Sequence, residues 1–402
     1  DHMKKMLLAV CLAAPFPAVV HAQSAVTLYG IIDEGVSYTS NAATVNANGS
    51  ISGHSAVRLL SGVMQQSRWG MRGVEDLGGG MKAIFMLENG FDASTGKLGQ
   101  GGLLFGKKAW VGLSGPFGTV TLGRQYDTNV DILGPFEVGD QWGGYMVAHP
   151  GDLDNFNNTN STNNAIKFTS NTYGGLTVEG MYSLGGVAGD FARNRIWSVS
   201  AGYVNGPLGL GVGYLDVANP NTSFFGSTGS PAASVNGLPG SNMVSPVYSG
   251  YASAKSLHVI GAGASYLFGA ATFGATYSNT SFRDLGDLAS GPNPAGLSGN
   301  ATLNNAEVSF KYQITPDLLC GVAYDYTKGS SVKGMTGATY QQVASGIDYF
   351  VSKRTDVYVI GVYQKASGTD STGRQAVAAV NGPSASAGDK QAVVRVGMRH
   401  KF

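Results

Sequence analysis

Charged side chains are scarce in this sequence. Asp, Glu, Lys and Arg make up 13% of it, against about 25% in ordinary soluble domains, and the two signs nearly cancel at a net +1. A near-neutral total with no basic block excludes a general nucleic-acid or anionic-surface binder, which needs a clustered positive excess. Cysteine is almost absent. Cys11 lies in the N-terminal apolar run, so Cys320 alone remains for a mature chain and no intrachain disulfide can brace it. Long apolar runs are missing too: beyond the N-terminus no stretch approaches the roughly 20 residues of a membrane-crossing helix. Histidine is rare and scattered. His54, His149, His258 and His400 lack metal-ligand spacing, Asp152-Leu153-Asp154-Asn155-Phe156-Asn157 misses the calcium-loop order, and Gly261-Ala262-Gly263 lacks the third glycine of a dinucleotide loop. No metal, cofactor or catalytic constellation is expected.

What is abundant is glycine, 60 residues of 402, together with small neutral side chains. At the N-terminus Lys4 and Lys5 precede an apolar run from Met6 to Val20 and then Val20-His21-Ala22, the order of a secretory leader cut after Ala22. Asp1 and His2, before the expected start Met3, are expected to be an expression remnant. Residues 1–22 are thus expected to be removed, leaving 23–402 as one exported domain. Removing Asp1, Lys4 and Lys5 leaves the acids and bases equal in number, so any ion preference has to be local.

From Ala25 to Phe402 one unit recurs: about ten alternating residues, a tight turn, a second alternating segment, and a long polar link. The tight turns include Asp76-Leu77-Gly78-Gly79, Gly115-Pro116-Phe117-Gly118, Asn205-Gly206-Pro207 and Thr315-Pro316-Asp317, with residues that permit or preset hairpin dihedrals. Long links fall near 39–56, 92–103, 128–163, 185–193, 218–255, 282–301, 329–338 and 367–389. Short turns on one side and long loops on the other are the pattern of a transmembrane antiparallel β-barrel, and the segments number about sixteen. The expected fold is therefore all-β. Period-2 patterning supplies the physical content: Leu208, Leu210, Val212 and Tyr214 interleave with glycines, and Val394, Val396, Met398, His400 and Phe402 interleave with Arg395, Arg399 and Lys401. An arginine facing lipid at midplane costs about 2–4 kcal/mol, so the basic face should be the lumen. Tyr182, Tyr203, Tyr214, Tyr266, Tyr277, Tyr324, Tyr349 and Tyr358 are expected on the lipid face as an aromatic girdle.

Val26-Thr27-Leu28-Tyr29-Gly30, Ser67-Arg68-Trp69-Gly70-Met71-Arg72-Gly73, Phe117-Gly118-Thr119-Val120-Thr121-Leu122-Gly123-Arg124-Gln125 and the closing Arg399-His400-Lys401-Phe402 resemble the Gram-negative trimeric porins of β-proteobacteria, and the general porins of Burkholderia most of all. The resemblance spans the mature chain. It implies a sixteen-stranded barrel in the outer membrane, a homotrimer in contact with outer-membrane lipid and lipopolysaccharide, and a third extracellular loop, 128–163, folded into the pore as its constriction. It also implies that Phe402 is the signal read by the barrel-insertion machinery.

A channel of this kind works by electrostatics, with basic wall residues set against acidic loop residues. Parity places Arg68 and Arg72 opposite Trp69 and Met71, and Lys82 and Lys167 opposite their apolar neighbours, so all four should face water. Asp33 has inward parity in the first strand. Arg124 shares parity with Val120 and Leu122 and would point outward; the family pattern Gly-Arg-Gln instead implies a constriction arginine, turned inward by a bulge at Gly123. The inward placement is the expectation. Asp131, Glu137 and Asp140 are the acids expected on the loop by resemblance, although Pro135-Phe136-Glu137-Val138-Gly139 departs from the Pro-Glu-Phe-Gly-Gly tip of enteric porins. The expected function is passive diffusion of ions and small hydrophilic solutes, antibiotics among them, with no chemistry performed. A substrate-specific channel is the alternative, and an outer-membrane enzyme would need a histidine constellation that this sequence does not display.

Overall fold

The computed structural model describes residues 25–402; the expected leader and its cleavage site lie outside the described residues. Seventeen strands form one antiparallel sheet. They are β1 (Ala25–Val45), β2 (Ile51–Ser61), β3 (Arg68–Gly78), β4 (Met81–Gly90), β5 (Lys108–Gly115), β6 (Gly118–Gln125), β7 (Thr162–Thr169), β8 (Leu176–Ser183) and β9 (Ile196–Asn205). The second half comprises β10 (Leu208–Ala218), β11 (Ala254–Phe268), β12 (Ala271–Leu285), β13 (Gly299–Thr315), β14 (Leu318–Gly329), β15 (Ala338–Phe350), β16 (Thr355–Gly368) and β17 (Lys390–Lys401). Apart from β2 and β3, which both pair with β1, each pairs with its neighbour in sequence, and β1 pairs with β17, from Ile31↔Lys401 to Thr39↔Val393. The sheet closes on itself.

The upper half of β1 pairs with β2 and its lower half with β3, so β2 and β3 are one stave in two pieces and the barrel has sixteen positions. Sequence alternation reads residues 57–74 as one strand. The structure breaks that strand at 62–67, where Gly62 adopts φ +72° and the main chain folds away from the wall. Asp33 holds the break: its carbonyl accepts from Gly62 N at 2.8 Å and from Ser67 Oγ at 3.0 Å, and its carboxylate accepts from Gln65 N at 2.9 Å.

The two faces separate as alternation requires. Leu210 is 42% exposed, and Val212 and Val396 are 57% exposed; cross-strand partners share a face, so Val111 with Leu122 and Val120 with Phe168 continue the same apolar outer surface. A water-soluble barrel would bear a large cost for that surface, and hydrocarbon removes it. The inner face of β17 carries Arg395 and Arg399, both buried. Arg399 donates from Nε and Nη2 to Asp356 Oδ2 at 2.9 Å, and Arg395 lies 3.4 Å from Asp33 Oδ1.

Tyr358 corrects one expectation. It is 1% exposed, opposite Asp348 rather than on the girdle face, and its hydroxyl donates to Asp33 Oδ1 at 2.5 Å while accepting from Arg395 Nε at 2.8 Å. The other seven tyrosines keep the outer parity. Removing one partner of a buried ion pair typically costs about 3–5 kcal/mol, so Arg395→Met should lower barrel stability by that order, read as a drop in the temperature at which folded gel mobility is lost. Replacing Asp33 by Asn in the same chain should recover part of the loss.

Candidate functional site

The long segment after β6 starts with Gln125, whose Oε1 accepts from Thr121 Oγ1 at 2.6 Å. Asp127 then caps a short helix α1 (Thr128–Leu133), its carboxylate accepting from Asn129 N and Val130 N at 2.9 and 3.3 Å, which satisfies two free amide donors. Beyond α1 the segment packs on the inward-parity side of β10 to β16. Glycines make the seats. A Cβ at Gly263 or Gly211 would stand 2.6 or 2.8 Å from the Phe136 ring, and one at Gly346 would stand 2.7 Å from Trp142. The glycines that interleave with Leu208, Leu210 and Val212 in the sequence are therefore sockets for loop aromatics. Tyr145 N donates to Val63 O at 2.7 Å, and Val63, Met64, Val138, Trp142 and Met146 form one buried apolar cluster. The broken stave and the loop brace each other.

Between them runs a narrow opening. It is lined by Ser61 to Gln66, Arg68, Glu88, Lys108, Tyr126, Asp131, Pro135, Asp140 and Tyr145 among others. Arg68 Nε stands 3.5 Å from Glu88 Oε2, which also accepts from Tyr29 Oη at 2.8 Å. Asp131 is paired with Lys167 Nζ behind it. Lys108 Nζ lies 4.3 Å from the Tyr126 ring centroid, a cation–π contact. Directly behind the lining, Lys107 Nζ donates to Gln66 Oε1 at 2.6 Å and Asn158 Oδ1 at 3.2 Å. Burial pushes the Lys107 ammonium down to about 7, with Arg68 and Lys108 lowering it further and Glu88 opposing. Burial raises the Asp140 carboxyl, and Arg68, Lys107 and Lys108 pull it back.

Lys107 sets a pH response. It is charged below about 7 and neutral above it, so the opening becomes more negative as pH rises through neutrality. Reversal potentials under a salt gradient should move toward cation preference between about pH 6 and pH 8. Lys107→Met should flatten that curve near neutrality; an unchanged curve would remove Lys107 from the effect.

Arg68, Asp131 and Asp140 line the same opening, with Lys167 one contact behind. Arg72 and Lys82 face inward but away from it. Arg72 lies four residues along β3, about 13 Å toward the short-turn end, over the Tyr29 ring. Lys82 pairs in register with Asp76 beside the turn. Three expectations are corrected. Asp33 is 0% exposed and bound to Arg395, Tyr358 and the 62–67 segment, so it braces the wall. Glu137 is 0% exposed, its Oε1 accepting from His149 N at 2.8 Å, and lies behind the loop. Arg124 pairs with Ala109 on the outer parity, as strict alternation has it. Its guanidinium donates to the carbonyls of Gly106 at 2.7 Å and Ser227 at 2.8 Å and ties loops together. Lys108 and Glu88 were missed although both have inward parity beside Ala109 and Leu87. For residues 63–66 only Gly62 offered a signal.

A profile described as Gram-negative porin matches residues 8–369. This chain belongs to that family. An outer membrane porin of Delftia acidovorans is 30% identical over 417 aligned positions covering 100% of both chains. One from Bordetella pertussis is 36% identical over 232 residues, 53% of this chain and 59% of that protein, so that alignment spans less than two thirds of the relative's length. Among solved structures, an anion-selective porin from Comamonas acidovorans superimposes with a TM-score of 0.69 at 23% identity, covering 94% of this chain and 100% of that one. The porin is an outer-membrane channel, and its relatives are channels rather than enzymes.

Proposed function

We propose that the opening between residues 61–66 and the loop from Tyr126 to Thr159 is the constriction that limits passage, making this a general diffusion porin for ions and small hydrophilic solutes. The observation that carries the reading is the seating of Phe136 and Trp142 in glycine sockets. That seating holds Asp131 and Asp140 across the same opening as Arg68 and Lys108. Opposed charges across a narrow aqueous section create a transverse field that orients dipolar solutes and biases ions. With Arg68 paired to Glu88 and Asp131 to Lys167, the lining is close to charge balance, which favours weak selectivity. The Comamonas porin, of similar fold, is described as anion-selective. A liposome-swelling series over solutes of increasing size should give graded, size-limited entry. Saturable entry of a single solute would replace this reading with that of a specific channel.

The assembly is proposed to be a homotrimer. A Vibrio cholerae barrel of similar fold, at a TM-score of 0.61 and 14% identity, is described in a trimer form. The outer apolar band is proposed to meet lipid and lipopolysaccharide. Phe402 is proposed to be the insertion signal: it is on the outer face, partly exposed, and hydrogen-bonded through its backbone to Gly30 in both directions.

A further inference from the structure

Behind the loop, opposite the opening, the structure buries four carboxylates around one imidazole. Glu137, His149 and Asp154 come from the loop, Glu307 from β13 and Asp325 from β14, and all are buried. Asp152 lies next to them, its carboxylate occupied by Asn157 N and Thr159 N. Among the described residues no lysine or arginine is paired with any of these acids; His149 is their one basic neighbour. So much negative charge in a dry space has to be balanced by protons or by a cation.

The geometry selects between the two. His149 Nδ1 stands 2.7 Å from Asp154 Oδ2, and that oxygen also accepts from Ser278 Oγ at 2.5 Å. A carboxylate on Nδ1 fixes its proton there and leaves Nε2 as an acceptor, its lone pair taken by the Thr276 hydroxyl unless a metal displaces it, the arrangement that orients metal-binding histidines. Nε2 points at Thr276 Oγ1, 3.1 Å away, and at Asp325 Oδ2, 3.9 Å away. Ligand atoms of His149, Glu307 and Asp325 all lie within 4.8 Å of one another. Glu307 Oε1 accepts from Val138 N at 3.0 Å, but its Oε2 is buried with no partner, and so is Glu137 Oε2. An unpartnered buried carboxylate oxygen is costly unless something positive reaches it.

We infer that His149, Glu307 and Asp325 form a binding site for a divalent transition-metal ion, zinc being the best match, which clamps the loop to the barrel wall. One nitrogen with two carboxylate oxygens suits zinc better than calcium or magnesium, which prefer oxygen alone. Ligands about 2.0–2.2 Å from zinc stand roughly 3.3–3.6 Å apart in a tetrahedron, so ligand atoms that lie within 4.8 Å of one another draw in by at most about 1.5 Å to close the site. The ion neutralises two of the four negative charges. It is captured as the loop docks, since all three ligands are buried once it has docked.

The test uses the full-length protein refolded with zinc, passed through a chelator-containing column and analysed for metal by mass spectrometry. Close to one zinc per chain is expected, falling at least tenfold in Glu307→Gln and in His149→Gln, with folded gel mobility checked in each. Wild-type protein that retains no zinc overturns the proposal, as does equal retention in folded Glu307→Gln. Should both variants fail to fold, cobalt-loaded wild-type protein decides the matter. Strong visible bands of a four-coordinate nitrogen–oxygen site are expected, and weak six-coordinate bands or none would overturn it.

Discussion

Gly263→Leu should cut single-channel conductance by roughly half, since passage scales with the narrowest section of a pore. A Cβ at this position would stand 2.6 Å from the Phe136 ring and 2.8 Å from its Cβ, closer than carbon atoms tolerate, and three further carbons have no free space. Overpacking of this kind typically costs about 1–3 kcal/mol, and the loop is less constrained than the hydrogen-bonded wall, so the ring retreats toward the barrel axis. Pro135, next to Phe136, lines the opening and moves with it. Gly263→Leu combined with Phe136→Ala exchanges volume across the contact and should restore much of the conductance. Planar-bilayer recordings of the three proteins check both statements. Wild-type conductance in the single variant would mean that the socket does not position the loop.

Charge reversals of preference should be nearly as large. Arg68→Ala removes a cation from the lining and leaves Glu88 with its Tyr29 hydrogen bond alone; Asp140→Asn removes an acid from the opposite side. A unit charge about 4 Å from a passing ion is worth about 1 kcal/mol in water, or about fivefold in relative permeability. Arg68→Ala should therefore shift the reversal potential toward cations and Asp140→Asn toward anions, both more clearly at low salt because screening shortens the reach of each charge. Equal potentials in all three proteins would place the limiting section elsewhere.

The barrel was legible because its pattern is two-sided. Lipid outside and water inside force a period of two on every stave, so Val212, Val396, Arg68 and Lys167 could be assigned a face from parity alone. Arg124 shows the strength of that rule, since its register partner Ala109 lies on the outer face even though the pairing with β7 shifts between Gly123 and Gln125. What parity cannot report is the use made of an inward residue. Asp33, Asp131 and Tyr358 all face inward or fold inward, yet one braces the broken stave, one lines the opening and one bridges Asp33 to Arg395. Those roles depend on contacts between residues tens to hundreds of positions apart, and no local pattern encodes them. The break at 62–67 was hidden for a similar reason: Val63 and Met64 suit a strand locally and are drawn inward by Val138, Trp142 and Met146.

The seam between β1 and β17 joins Ile31 to Lys401 and Thr39 to Val393, nearly the whole length of the chain apart. Until the ribosome has released the last residue and export has delivered it, the strand waiting at the other end has an open hydrogen-bonding edge, and open edges recruit foreign strands. Before that seam closes, the sheet is a ribbon with two bare edges. Keeping those edges from pairing with sibling chains is part of reaching the closed barrel, and truncations that remove β1 or β17 should be cleared by proteolysis rather than accumulate as smaller pores.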